Sequence, residues 1–440
     1  MNPVRIIFSY SILIIFLFAS GMTVQAQNTG KSQLVTFENT WNSPYVPDPE
    51  YSHHFVNDEG NHLYLYTKSA FAYFRCKDPK AVLSKAHDIG ANVIRVCLEG
   101  TPFYNKLRLD MWPWGGTRKN PNWKIFNEAY WSMVEQRVRL AGENDIGLNI
   151  ILYYTLKPSV QDVEVQRKYW EYVLRRLGKY ANVFSWEIMY TDNIHKDFID
   201  IAGTYFKTHD PYHRPVFSTG PGSDDAFMPD KPWMDIAVVQ TPTGSQPQYG
   251  LDDWYLAVAR NVYNHGKPAF NAQPGREMVD ENDDPIFRRK QGWLWCMTGA
   301  FWTWHSYDGC DGINEINYYS PGWQYSKPVT EFFNSVPFWT MTPNFTACRA
   351  QDPELITQSL ATSDRKTVLF YGCYQKQDVF ARGKKMSLRL PAGSYDLSFF
   401  RPGDLKKIKS IDIQASGVNN LLEIDLPDFK DDILIMISKN

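Results

Sequence analysis

Short apolar runs alternate along this chain with longer segments whose apolar residues recur at helical spacing. The runs are "LYLYT", "NVIRV", "LNIIL", "VFSWEIM", "PVFST", "DIAVV", "PAFNA" and "AFWTW". Between them lie segments such as "KAVLSKAHDI", "NEAYWSMVEQRVRLAGEND" and "QDVEVQRKYWEYVLRRLGKY". A largely apolar run predicts a strand covered on both faces, and helices between such strands make them parallel. Asp78-Pro79 supplies an N-cap and a proline at the first helical position, and Gly90 closes that helix before the next strand. About eight such units predict an α/β fold, a (β/α)8 TIM barrel, with any site at the carboxyl ends of the strands. A doubly wound open sheet fits the same alternation. It is disfavoured because no GxGxxG follows the first strand and no GxxxxGK[ST] occurs.

The pattern changes near residue 345. From there "TVLFYGC", "DVFAR", "MSLRL", "SYDLSFF", "IKSIDI", "NLLEIDL" and "DILIMIS" follow one another, separated by turn sequences such as "PAG", "RPGD" and "SGVNN". These predict a small antiparallel β-sandwich over 345–440. The barrel is assigned to 27–344, including an N-terminal β-hairpin around "NDEG". Residues 1–26 read as a cleavable signal peptide: Arg5, an apolar run, then Val24-Gln25-Ala26 as the cleavage site. No Cys follows that would take a lipid anchor. The expectation is a secreted or periplasmic protein with no membrane span after cleavage.

Composition narrows the chemistry. The net charge is −2 with no basic block, which gives no footing for nucleic acid or an anionic membrane. Aromatic residues make up 15% of the chain, and in an exported protein exposed Trp and Tyr suit the C–H faces of sugar rings. The six Cys are widely spaced without a CxxC, and the nine His show neither HExxH nor a cluster. No metal and no cofactor are expected.

The strand ends then supply the candidate site. They are Arg95 within strand 2 and Glu99 at its end, "YTDN" (190–193) after strand 4, and Gln240 after strand 6. Gln273 follows strand 7, and Trp304, His305 and Asp308 follow strand 8. Glu187, inside strand 4, reads as a structural ion-pair partner, for example of Arg95. Asp192 reads either as a rim carboxylate or as a helix N-cap before "NIHKDFID".

Taken together, "HHFVNDEGNHLYLY", "GANVIRV", "NEAYWSMVEQRVRLAGENDIGLNIIL", "DPYHRPV", "KPAFNAQP" and "RRKQGWLWCMTGAFWTWH" resemble the clan A glycoside hydrolases. More narrowly, the chain resembles apiosidase-like barrels of the DUF4038 type, which carry a C-terminal sandwich of the collagen-binding-domain type. The resemblance implies an acid/base after strand 4 and a nucleophile after strand 7, about 5 Å apart in a retaining enzyme. Carried over by position, the acid falls on Thr191, or on Asp192 if the strand gains one residue. The nucleophile falls on Gln273, and Arg95 takes the position that orients it. An amide can neither form a glycosyl ester nor offer charge to an oxocarbenium ion.

Two functions follow. One is a hydrolase of an extracellular or periplasmic oligosaccharide or polysaccharide. It would use Asp192 with a substitute carboxylate such as Glu277 or Asp308, and Arg95, Glu99, Gln240, Trp304 and His305 would contact substrate. The other is a degenerate barrel that binds sugar without cleaving it.

Overall fold

The computed structural model describes residues 41–440 except 100–105, 242–249, 276–283 and 306–318. Eight parallel strands form one sheet: β1 (Tyr66–Ser69), β2 (Val93–Cys97), β3 (Gly147–Tyr153), β4 (Val183–Met189), β5 (Val216–Phe217), β6 (Ala237–Val239), β7 (Ala269–Asn271) and β8 (Phe301–Trp304). Their order is β6-β7-β8-β1-β2-β3-β4-β5, with every neighbouring pair parallel. The open seam between β5 and β6 is bridged by Asp235, whose N–H donates to Val216 O at 2.9 Å and whose carboxylate accepts the Val216 N–H at 3.0 Å. The (β/α)8 barrel expected from the alternation is therefore present.

Helices return the chain between strands: α1 (Pro79–Asp88), α2 (Glu128–Gly142), α3 (Val163–Leu177), α4 (Lys196–His209), α5 (Ala257–Tyr263), α6 (Pro285–Cys296) and α7 (Lys327–Phe333). Local chemistry sets their starts. Asp78 accepts the Ala81 N–H at 3.1 Å ahead of Pro79, and Asp284 accepts those of Ile286 and Phe287 ahead of Pro285. Gly90, at φ +77°, ends the α1 segment in the left-handed region that glycine enters without strain. An antiparallel pair, Trp114–Gly116 with Pro121–Phe126, is inserted between β2 and α2.

The C-terminal part is the expected antiparallel sandwich. Its larger sheet takes β9 (Met341–Pro343), β11 (Leu355–Thr362), β12 (Thr367–Tyr374), β14 (Gly393–Arg401), β15 (Lys406–Ala415) and β17 (Asp432–Lys439), in the order β9-β11-β12-β17-β14-β15. The smaller is β10 (Cys348–Ala350), β13 (Lys385–Leu388) and β16 (Leu422–Asp425), in the order β10-β13-β16. Alternation along β12 explains its unbroken apolar run. Val368 and Phe370 face the sandwich core, while Leu369, Tyr371 and Cys373 join the barrel's core cluster. Arg289 of α6 closes the same seam, bonding Asp432 at 2.9 and 2.6 Å. Among the described residues no helix is long and apolar enough to cross a membrane.

Candidate functional site

Arg95 lies in the middle of β2 with no part of it exposed. A guanidinium in that position needs acceptors around it. Its Nη2 is 2.8 and 2.9 Å from the two carboxylate oxygens of Glu187, and its Nε is 3.2 Å from one of them. Nε also reaches Asn149 Oδ1 at 3.2 Å, and Nη1 donates to the carbonyl of Ala272. Thr219 donates to Glu187 at 2.8 Å. Glu187 is thus the ion-pair partner anticipated for Arg95. Arg95 itself, expected among the ligand-contacting residues, is enclosed beneath the rim. Its hold on the strand-7 end runs through the backbone of Ala272, one residue before Gln273.

Aromatic residues just past the strand ends cover this pair. The Phe71 and Tyr190 rings lie 5.7 and 5.9 Å from the Arg95 guanidinium carbon. Tyr154 stacks on Tyr190 at 4.4 Å and 17°, and Phe71 stands 5.5 and 5.3 Å from the two. Tyr154 and Tyr190 are half-buried, so this cluster is the part of the described rim with aromatic surface to offer. Sequence reasoning did not single out Phe71 or Tyr154. The available signal was an aromatic residue one or two positions after an apolar strand run.

Tyr190 OH donates to Gln273 Oε1, joining the ends of β4 and β7. Next to it Thr191 adopts φ +47°, a conformation that a β-branched residue holds only at a cost of about 1–3 kcal/mol. Thr219 holds the chain there, accepting the Thr191 N–H on Oγ1 and the Asp192 N–H on its carbonyl, both at 3.1 Å. Thr191 Oγ1 then donates to Gln240 Oε1 at 3.0 Å. The two positions where the family resemblance implies an acid and a nucleophile are therefore neutral and hydrogen-bonded to neutral partners.

The nearby carboxylates are bound by the chain itself. Asp192 is 7% exposed and accepts the N–H groups of Ile194 at 2.9 Å and His195 at 2.8 Å, with the His195 ring 3.1 Å away. Burial raises its pKa, but the His195 N–H and ring, the Ile194 N–H and the Lys157 charge outweigh that and leave it below the usual carboxylate value. Asp192 closes a turn just ahead of α4 and is not its N-cap, the alternative foreseen for it, because that position belongs to His195. A group held ionised in this way is a poor general acid.

Glu99, expected to contact substrate, is instead 2% exposed and turned to the loop after β3. It accepts the Tyr154 N–H at 2.6 Å, the Leu156 N–H at 2.9 Å and the Thr155 N–H. Burial pushes its pKa up to about 8 against the pull of those donors and of Lys157. Lys157, also unforeseen, donates to the Tyr190 carbonyl.

At the end of β8, Trp304 and His305 are each 3% exposed. His305 Nδ1 is 2.8 Å from Ser69 Oγ, and its ring is 6.0 Å from Phe71. Trp304, which the sequence left open between a sugar platform and barrel packing, is packed in the barrel wall. Gln240 is also buried, and its Nε2 has no partner among the described residues. Glu277 and Asp308 lie outside the described residues.

The family profile of the apiosidase-like catalytic domain matches residues 72–339. Similar solved structures include one described as a glycoside hydrolase, with a TM-score of 0.69 at 14% identity, covering 92% of this chain and 99% of that one. A glycoside hydrolase family 5 protein from Bacteroides vulgatus ATCC 8482 also reaches a TM-score of 0.69 at 14% identity, over 92% of this chain and 95% of that one. At that identity the likeness speaks to fold alone. No curated protein matches the chain. With the profile spanning more than half of its length, the chain belongs to the apiosidase-like family of glycoside-hydrolase-like barrels.

Proposed function

We propose that the carboxyl rim of this barrel binds an oligosaccharide or polysaccharide and does not cleave it through the strand-4 and strand-7 positions. The observation that carries this reading is the pair of hydrogen bonds Tyr190–Gln273 and Thr191–Gln240. A threonine hydroxyl does not serve as the acid that protonates a glycosidic oxygen, and an amide cannot form or stabilise a glycosyl intermediate. Sugar recognition needs neither. It needs apolar ring faces and directional donors, and Tyr154, Tyr190 and Gln273 bring both to the rim. We place the protein outside the cytoplasm, on the strength of its leader sequence. Cys76, which is disulfide-bonded, suits an oxidising compartment.

A second reading is favoured by the profile itself, which describes a catalytic domain. Hydrolysis would then draw on Glu277 or Asp308.

One screen separates the two. Purified wild type, Gln273→Glu and Thr191→Glu/Gln273→Glu are assayed on aryl glycosides and on plant and host polysaccharides, with binding measured in parallel. The expected result is binding without hydrolysis by wild type, and hydrolysis rising by about 10²-fold over background in the double variant, the usual contribution of a placed acid or base. Wild-type turnover that survives Gln273→Ala and is abolished by Glu277→Gln or Asp308→Asn overturns the binding reading in favour of the second.

A further inference from the structure

The smaller sheet of the sandwich has an outer face whose composition follows from its register. In the β10–β13 pair Cys348 lies opposite Leu388, Arg349 opposite Ser387, and Ala350 opposite Met386. Cys348, Met386 and Leu388 belong to the sandwich core, so alternation turns Arg349 and Ser387 outward. Arg389 continues that outward series, its N–H bonded to Ala347 O at 2.9 Å. The two arginines are diagonal neighbours on one face, which places them roughly 7–8 Å apart. Both are exposed, and no carboxylate is paired with either among the described residues. Like charges so close repel one another until an anion lies between them.

These side chains line a groove of about 730 Å³, flanked by the exposed Phe345 and Leu421 at 54% and 52% accessibility. A recess of about 290 Å³ shares Phe345 and Arg349 with it and reaches Arg260 of α5, on the barrel. The Arg260 guanidinium lies 4.9 Å from the Phe345 ring. The carboxylate lining the groove, Asp352, is already taken by Lys384 at 2.6 Å and Tyr374 OH at 2.8 Å, and Glu423, opposite Ser387 on the same face, by Gln351 at 2.9 Å and Lys385 at 3.7 Å. The charge left to meet a ligand is therefore positive.

We propose that this groove is a binding site for a uronate-bearing oligosaccharide, separate from the barrel rim. Arg349 and Arg389 would grip sugar carboxylates as planar forks, while Phe345 and Leu421 would meet the apolar ring faces. The volume lies within the range of small-molecule sites. An open trough suits a chain that enters and leaves at both ends.

The test uses the full mature protein and three probes: oligogalacturonate, its methyl ester, and polyglutamate, with affinities measured by titration calorimetry. Wild type should bind oligogalacturonate, weaken as salt rises, and ignore the ester. Arg349→Gln/Arg389→Gln should weaken binding at least about tenfold, the value of one lost charged hydrogen bond, with an unchanged melting temperature. Should that double variant melt early, Arg349→Lys and Arg389→Lys replace it. They keep the charge, lose the fork, and should each weaken binding several-fold. Tyr190→Ala at the barrel rim should leave this affinity untouched, so the outcome does not depend on what the rim does. The proposal is overturned by no binding of oligogalacturonate, by equal binding of the ester or of polyglutamate, by an arginine variant that binds as wild type does, or by loss of binding in Tyr190→Ala.

Discussion

Inside the barrel, Arg95 and Glu187 form an ion pair with both side chains fully buried, supported by Asn149, Thr219 and the carbonyl of Ala272. Directly above them, strand ends are joined through Tyr190–Gln273 and Thr191–Gln240, with no charge involved. The difference lies in what each layer can lose. A buried ion cannot lose its partner without being left uncompensated in a medium of low dielectric, so charge inside the barrel persists in pairs or not at all. At the half-exposed rim, a carboxylate replaced by an amide of the same shape keeps its hydrogen bonds and costs the fold little. Catalytic charge can therefore disappear from the rim while the frame beneath it stays intact.

The largest effect that would break this comparison comes from removing one partner in each layer. Glu187→Ala should cost about 3–5 kcal/mol, because it leaves the Arg95 guanidinium buried and unpaired. Gln273→Ala should stay within about 1 kcal/mol, as expected for a half-exposed polar residue. Urea denaturation of both variants measures the difference directly. Equal losses would mean that the rim hydrogen bonds are part of the structural frame and that the two layers are one.

The layers also differ in how far the sequence exposed them. All eight barrel strands could be read from largely apolar runs, since coverage on both faces leaves few polar positions to blur the pattern. The inserted pair Trp114–Gly116 with Pro121–Phe126 could not. Its second strand alternates between exposed and half-buried positions and carries Pro, Asn and Lys, so it reads as a loop. The Arg95–Glu187 pair was legible because two opposite charges inside apolar strands have few ways to be satisfied.

The surroundings of Glu99 could not be read from its position at a strand end. Strand position indicates which residues stand near the rim, but the partners that bury Glu99 are backbone N–H groups of 154–156, and backbone groups leave no mark in a sequence. The docking of the sandwich on the barrel was hidden in "TVLFYGC". An apolar run of that kind implies two covered faces without naming what covers them.

A smaller effect sharpens the comparison at its boundary, where Glu99 is buried like the interior but belongs to the rim loops. Its pKa in the folded chain is pushed up to about 8, from 4.5 for an ordinary glutamate. A raised carboxylate pKa means that the folded state favours the protonated form. The stability contributed by protonated Glu99 is complete below about pH 4.5 and is lost as pH rises through about 8. Between pH 5 and pH 8.5, wild type should therefore lose roughly 3 kcal/mol relative to Glu99→Gln, which has no proton to release. Melting temperatures of the two proteins across that range give the comparison. A flat difference, or one that grows in favour of wild type as pH rises, would place Glu99 among the ionised, well-paired groups of the interior.

The smallest effect concerns Asp192, the carboxylate just past the end of β4. Its pKa lies below the usual value because the His195 N–H and ring and the Ile194 N–H outweigh the effect of burial. The sign is opposite to that of Glu99. The ionised form is favoured by folding, so its contribution is present above the unfolded aspartate value near 4 and is lost as pH falls through the lower folded value. Asp192→Ala should cost about 1 kcal/mol at pH 7, the usual net worth of a hydrogen bond, and almost nothing once both states are protonated in strong acid. Asp192→Asn, which keeps an acceptor for the two N–H groups, should recover much of the loss at pH 7. If any hydrolytic activity found in wild type follows the same substitutions, vanishing in Asp192→Asn while stability is kept, then Asp192 carries chemistry as well as structure. The described part of the rim would then retain a working carboxylate, and among the described residues the contrast with the interior would narrow to the strand-7 position.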